Sequence, residues 1–189
     1  MKFSTHHNKS GFSLIEIMVV VVIIAIMATV MVPNFRRATP DQERAKVITS
    51  LNELMQGAWQ NATSNDKLQK IEFNFDRQAV KLTQAQKMGL TVDDDQKFEP
   101  VGENVIISEV KWPEYYRIIN FYIEGRDQMR LGSRDTAWFY VVPDGLAQQV
   151  VINFIDEKAS EDSDIPVKVG LVLNPFYVQF KEFYEFQQP

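Results

Sequence analysis

One long apolar run sets the terms for this chain. After the polar stretch MKFSTHHNKSG, the residues Phe12–Val32 include a single ionisable side chain, Glu16. Wound as an α-helix at about 1.5 Å per residue, such a run reaches about 30 Å, the thickness of the hydrocarbon core of a bilayer. A secretory signal peptide has a shorter apolar region that ends in a small-x-small cleavage site. Here the run continues through Met31 and Val32 into Pro33, and no Ala-x-Ala follows it. Lys2 and Lys9 precede the run, so the positive-inside tendency places the N-terminus in the cytoplasm and sends the remainder across the membrane.

Glu16 needs a reason to be where it is. A carboxylate near the start of a membrane helix costs on the order of 2.5 kcal/mol or more if it stays charged and unpaired. No Lys, Arg or His occurs between Gly11 and Arg36. Cleavage after Gly11 would create a cation, because a new α-amino group on Phe12 sits four residues before Glu16 in the same membrane layer. The pair is then made within a subunit or between neighbours. The alternative is an ordinary signal anchor in which Glu16 snorkels to the interface.

The string Gly11-Phe12-Ser13-Leu14-Ile15-Glu16 lies behind a short basic leader and ahead of an apolar helix ending in Val32-Pro33-Asn34-Phe35. It resembles the type IV prepilin signature shared by pilins and type II secretion pseudopilins. That resemblance implies cutting between Gly11 and Phe12 by a prepilin peptidase, N-methylation of Phe12, and use of Glu16 to neutralise the N-terminus of an adjacent subunit during filament assembly. It also favours Pro33 as a bend in the helix, since proline lacks an N–H and clashes with the preceding turn. The alternative there is a plain helix boundary.

The remainder is expected to be one α+β body. With 189 residues, 45% of them hydrophobic and 24% charged, the chain suits one globular core plus an appendage. Thr39-Pro40-Asp41-Gln42 carries an N-cap hydroxyl, a first-turn proline and a glutamine three residues on, so a helix starts or restarts there. Val47, Ile48, Leu51, Leu54, Met55, Ala58, Trp59 and Ala62 then recur at three- and four-residue intervals, a stripe expected to pack on a sheet. Beyond Asp66 the period becomes two. Ile71–Phe75 and Ala79–Leu82 form an expected hairpin, followed by strands at Val105–Val110, Arg117–Ile123, Ala137–Val142, Gln149–Ile155, Val167–Leu173 and Phe176–Phe183. Glu124–Asp127 and Pro143-Asp144-Gly145 are turn signals between them.

Composition removes several kinds of chemistry. Cysteine is absent, which excludes disulfides, thiolate nucleophiles and Cys-based zinc sites, and the only histidines, His6 and His7, lie in the N-terminal stub. A formal charge of −5 argues against nucleic acid as a partner. Two acidic runs offer oxygen ligands of the type calcium takes: Asp93-Asp94-Asp95, and Asp156-Glu157 with Glu161, Asp162 and Asp164. Neither matches an EF-hand loop, and clustered carboxylates in a connecting loop are most often solvated. Nothing fixes two carboxylates at glycosidase spacing, so no catalytic residue is assigned and no cofactor is expected.

The stretch from Trp138 through Pro143-Asp144-Gly145 to Phe154 is similar to part of the head of H-type minor pseudopilins of type II secretion. The resulting expectation is a structural subunit, not an enzyme. It comprises a prepilin leader at 1–11, a transmembrane helix at 12–32, an amphipathic continuation at 33–66 and a periplasmic β-rich head at 67–189. The long helix, membrane half plus amphipathic half, packs on antiparallel sheet in a pilin-like arrangement. The protein would sit in the bacterial inner membrane in a single pass. Its partners would be other major and minor pseudopilins, the prepilin peptidase, the inner-membrane secretion platform and the lipid bilayer. A minor pilin of a type IV pilus shares the N-terminal reasoning and is the alternative; a membrane-tethered binding module or enzyme is a further one.

Overall fold

The computed structural model describes residues 13–35, 39–88, 97–102, 105–130, 135–161 and 165–189, with side chains omitted for 28–35. The chain divides into two compact units, Met1–Thr39 and Pro40–Pro189. In the first, α1 spans Leu14–Phe35. It begins where the backbone N–H of Ile15 donates to Ser13 Oγ and that of Glu16 to the Ser13 carbonyl, so Ser13 acts as the cap. The helical backbone runs on past Pro33.

The second unit opens with α2, Pro40–Asn65. It continues through β1 (Gln69–Asn74), β2 (Ala79–Ala85), β3 (Phe98–Pro100), β4 (Glu109–Lys111), β5 (Tyr116–Ile123), β6 (Arg126–Asp127), β7 (Thr136–Val141), β8 (Val150–Asp156), α3 (Glu157–Ser160), β9 (Val167–Asn174) and β10 (Gln179–Phe183). All the pairings are antiparallel. The first sheet runs β3-β2-β1-β7, with β4 sharing the β2 edge with β3; the second runs β10-β9-β8-β5-β6. The chain is α+β. Helix α2 touches β10 of the second sheet and β1, β2, β4 and β7 of the first.

The stripe read from the sequence is the inward face of α2: Ile48, Leu51, Leu54, Met55, Ala58 and Ala62 are buried. Between the sheets the core is aromatic. Phe73 of β1 meets Phe121 of β5 edge to face at 4.9 Å, and Trp112 meets Phe154 of β8 at 5.2 Å. Such pairs contribute about 0.5–1.5 kcal/mol beyond their buried area.

Two expected strands differ in extent. Of the stretch 105–110 only Glu109 and Val110 join the sheet, in β4; the Ser108 carbonyl still accepts the Leu82 N–H of β2, but Val105 lies against α2 at Gly57. Ile106 is left 98% exposed. The strand expected from Phe176 starts at Gln179 instead. Asn174 Oδ1 accepts the N–H groups of Phe176 and Tyr177, and Val178 adopts a φ of 51°, so a turn occupies 175–178. The short strands β3 and β6 carry no period-two signal of their own.

Arg44 is buried on the same face as the stripe, at 2% exposure. Its Nε donates to Glu182 Oε1 at 2.7 Å, Nη1 to Asp156 Oδ2 at 2.9 Å and Nη2 to Asp41 Oδ1 at 2.7 Å. Burial opposes its charge, yet the three carboxylates outweigh it and raise the guanidinium pKa above its usual value. The cluster ties the first turn of α2 to β8 and β10. The unit Pro40–Pro189 made on its own is expected to fold cooperatively. In it Arg44→Met should cost about 3–5 kcal/mol, because Asp156 would stay buried without its cation. Urea unfolding followed by tryptophan fluorescence measures both; a loss below about 1 kcal/mol would mean that the cluster behaves like a solvated surface pair.

Candidate functional site

Apart from Glu16 the described part of α1 is apolar on every side, and no described residue of its unit covers it. Exposures over Leu14–Met27 run from 81% at Leu14 to 47% at Val20. A helix apolar all round belongs inside a large core or in lipid. Among the described residues no helix is long and apolar enough to cross a membrane; the side chains described in α1 stop at Met27. Glu16 stands in the first turn of this helix, exposed, at the end where the backbone N–H groups favour negative charge. Gly11 and Phe12 lie outside the described residues. So does the side chain of Pro33, while its backbone lies inside α1.

The head offers a groove of about 720 Å³ between the outer face of α2 and the segment 105–107. Asn52, Gln56, Gly57 and Gln60 line it, and among the described residues Glu53 is its one ionisable lining residue. A lone exposed carboxylate supplies neither an acid–base pair nor a nucleophile with its base. Asn52 and Gln56 are already engaged: Asn52 Nδ2 donates to the Phe180 carbonyl, its Oδ1 accepts the Phe180 N–H, and Gln56 Nε2 donates to the Val178 carbonyl. They close the outer edge of β10 where another strand would otherwise pair.

The acidic run near 156 is built differently from a solvated loop. Asp156 ends β8 at 0% exposure, with Oδ2 on Arg44 and Oδ1 capping α3 through the Ala159 N–H at 3.0 Å. Both oxygens are committed to structure. Glu157 pairs with Arg117 at 2.6 Å on the surface. Asp162 and Asp164 lie outside the described residues, as do Asp93, Asp94 and Asp95. Among the described residues no group of three or more His, Cys, Asp or Glu converges as a metal site would require.

Nearby, Lys158 donates to Glu43, as does the Tyr115 hydroxyl at 3.1 Å. The Lys158 hydrogen bond holds the Glu43 carboxyl below its usual range, against a smaller opposing effect of desolvation. Tyr116 has a buried hydroxyl with no hydrogen-bond partner; burial first, then the Asp156 charge, pushes its pKa up. This whole group holds α2, α3 and the Pro113–Tyr116 turn together.

Sequence reasoning missed Arg44 and Asn61, which occupy the buried stripe of α2. The signal was present: Arg44 lies four residues before Ile48 and Asn61 three after Ala58, in phase with the apolar positions. Trp59, assigned to the stripe, is 40% exposed and lies against the Pro143–Gly145 turn instead. Gly145 has a φ of +81°, and a Cβ there would stand 2.8 Å from Trp59 Nε1. Gly145→Ala is therefore expected to cost about 1–3 kcal/mol and to shift the Trp59 indole N–H resonance. An unchanged resonance and melting temperature would show that the turn does not need glycine.

The prokaryotic N-terminal methylation motif matches residues 6–32. No curated protein matches the chain in sequence. Among solved structures the chain is similar to the minor pseudopilin EpsH from the type 2 secretion system of Vibrio cholerae. The two are 10% identical, the likeness covers 75% of this chain and 95% of that one, and the TM-score is 0.45.

Proposed function

We propose that this chain is a minor pseudopilin, a structural subunit of the periplasmic pseudopilus that drives protein export by type II secretion. The N-terminal methylation motif over 6–32 carries the proposal. In this reading residues 1–11 are a leader removed by a prepilin peptidase, Phe12 is the methylated mature N-terminus, and 12–32 anchor the protein in the inner membrane. Residues 33–66 continue the helical part, with Pro33 as its bend, and 67–189 form the periplasmic head. The bare apolar surface of α1 supports a lipid or filament environment for it, since water would have to solvate every one of those side chains. The other pseudopilins and the inner-membrane secretion platform are the partners.

Processing is tested first. Intact mass of protein extracted from membranes is expected to correspond to a chain beginning at methylated Phe12, and Gly11→Leu to retain the leader. A mature wild-type chain that still carries residues 1–11 would overturn the proposal.

Assembly is tested through Glu16. In a filament its carboxylate meets the α-amino group of a neighbouring Phe12, and such a pair is strong where both partners are already desolvated. Glu16→Val should leave membrane insertion intact and reduce co-purification with the secretion-type minor subunits by about tenfold, the factor corresponding to about 1.4 kcal/mol. Undiminished incorporation at matched protein levels would remove Glu16 as an assembly determinant. Co-purification with subunits of a surface pilus, and not with those of the secretion system, would move the chain to the type IV pilus.

A further inference from the structure

Strand β7 ends the first sheet, and its ladder to β1 decides which of its main-chain groups face outward. The Phe75 N–H donates to the Asp135 carbonyl at 2.8 Å, and antiparallel strands exchange hydrogen bonds at every second residue. Ala137, Phe139 and Val141 therefore turn their N–H and C=O groups toward β1, while Thr136, Trp138 and Tyr140 turn theirs to the other side. The chain closes part of that side itself. Ala147 bridges Val141, the Gln148 N–H donates to the Tyr140 carbonyl at 3.1 Å, and Gln148 Oε1 accepts the Tyr140 N–H at 3.0 Å.

Continued in the register of that bridge, the antiparallel run would set Val150 opposite Trp138. Val150 instead opens β8 of the second sheet, so the place beside Trp138 is vacated by the chain that began to fill it. Among the described residues nothing bonds the outward N–H and C=O groups of Thr136 and Trp138. The edge of β10, by contrast, is shut by Asn52 and Gln56. An edge left open in this way is a template for a further strand.

A cleft of about 670 Å³ lies beside the same two residues, lined by Thr136 and Trp138 together with Asp76, Arg77 and Asp135. The Lys70 ammonium stands 4.6 Å over the Trp138 ring and is neutralised by Glu72 at 2.6 Å. Among the described residues no ion pair engages Asp76, Arg77 or Asp135. Two carboxylates against one guanidinium leave the cleft negative, which favours a basic side chain in it. We propose that the Thr136–Trp138 edge takes an extended segment of a partner protein as an added antiparallel strand, with basic residues at alternate positions on the face of the cleft. Main-chain hydrogen bonds supply the affinity, and Asp76 and Asp135 select the side chains. The residue opposite Trp138 shares its face and aims its N–H at the Trp138 carbonyl, so the basic residues are those whose N–H groups enter the ladder. The slot does not depend on the role in secretion proposed for the chain.

The test uses the full chain in detergent micelles with fluorescently labelled acetyl-Thr-Lys-Val-Lys-Val-Lys-Thr-amide as the probe. Saturable binding is expected, with displacement of the Thr136 and Trp138 amide resonances. A peptide with Glu in place of every Lys should bind about tenfold more weakly, the factor corresponding to about 1.4 kcal/mol. The same loss is expected for the lysine peptide when Asp76→Asn and Asp135→Asn are combined; both side chains are exposed, so the melting temperature of that variant should not move. Methylating the lysine amide nitrogens of the peptide should abolish binding, whereas methylating the valine ones, which point away from β7, should be tolerated. Absence of binding, equal binding of the acidic peptide, undiminished affinity of the double variant, or tolerance of methylation at the lysines would each overturn the proposal.

Discussion

The charge on Arg44 sits where an apolar side chain would be expected, and the head is arranged around that fact. A guanidinium at this depth is tolerable only when its donors are matched. Three carboxylates from three parts of the chain do so: Asp41 in the same helix, Asp156 at the end of β8 and Glu182 in β10. Their exposures are graded from 0% at Asp156 to 79% at Asp41. The innermost partner is therefore the one that depends most on the pairing. Apolar contact along α2 is non-directional, and a helix held by it alone could slide by part of a turn at small cost. A guanidinium fork engaged at all three nitrogens fixes both the rotation of α2 and its depth against the second sheet.

The same logic explains which parts of the fold are legible in the sequence. The α2 stripe, the β1–β2 hairpin and the strands β5, β7, β8 and β9 announce themselves because a periodic apolar pattern is the direct consequence of one buried face. Elements without such a face are silent. Phe98–Pro100 and Arg126–Asp127 become strands only through the partners beside them, and Val105–Ile107 has strand composition but loses its pairing where the chain turns across Gly57. The Phe176–Val178 turn was hidden behind β-prone residues, since the deciding interaction is the Asn174 side chain accepting two backbone N–H groups.

The acidic run at 156–164 shows how composition misleads when burial is unknown. Asp156 and Glu157 are adjacent carboxylates of the same charge. One is wholly buried and shared between a guanidinium and a helix cap, while the other is half exposed in a surface pair. A sequence displays their proximity to one another and not the arginine that arrives from more than a hundred residues away. The N-terminal motif is the opposite case. Its meaning lies in the order of residues along the chain, Gly11, Phe12 and then Glu16, and folding adds little to it.

That contrast separates two kinds of demand on one polypeptide. Within Pro40–Pro189 the buried charges of Arg44 and Asp156 find their partners in the same unit. Glu16 does not share that condition, because α1 holds no cation among its residues and its apolar flanks face outward. An unpaired carboxylate in a low-dielectric layer is a liability whose cost falls when a positive group from another molecule enters the same layer. Burial of the apolar side chains would favour any neighbouring helix, in any register. A single carboxylate at a fixed height along the rod instead favours the one register that brings a cation level with it, by the same reasoning that lets one polar residue set the alignment of packed helices elsewhere. In the proposed filament, the apolar surface would supply attraction between subunits and the charge of Glu16 their alignment.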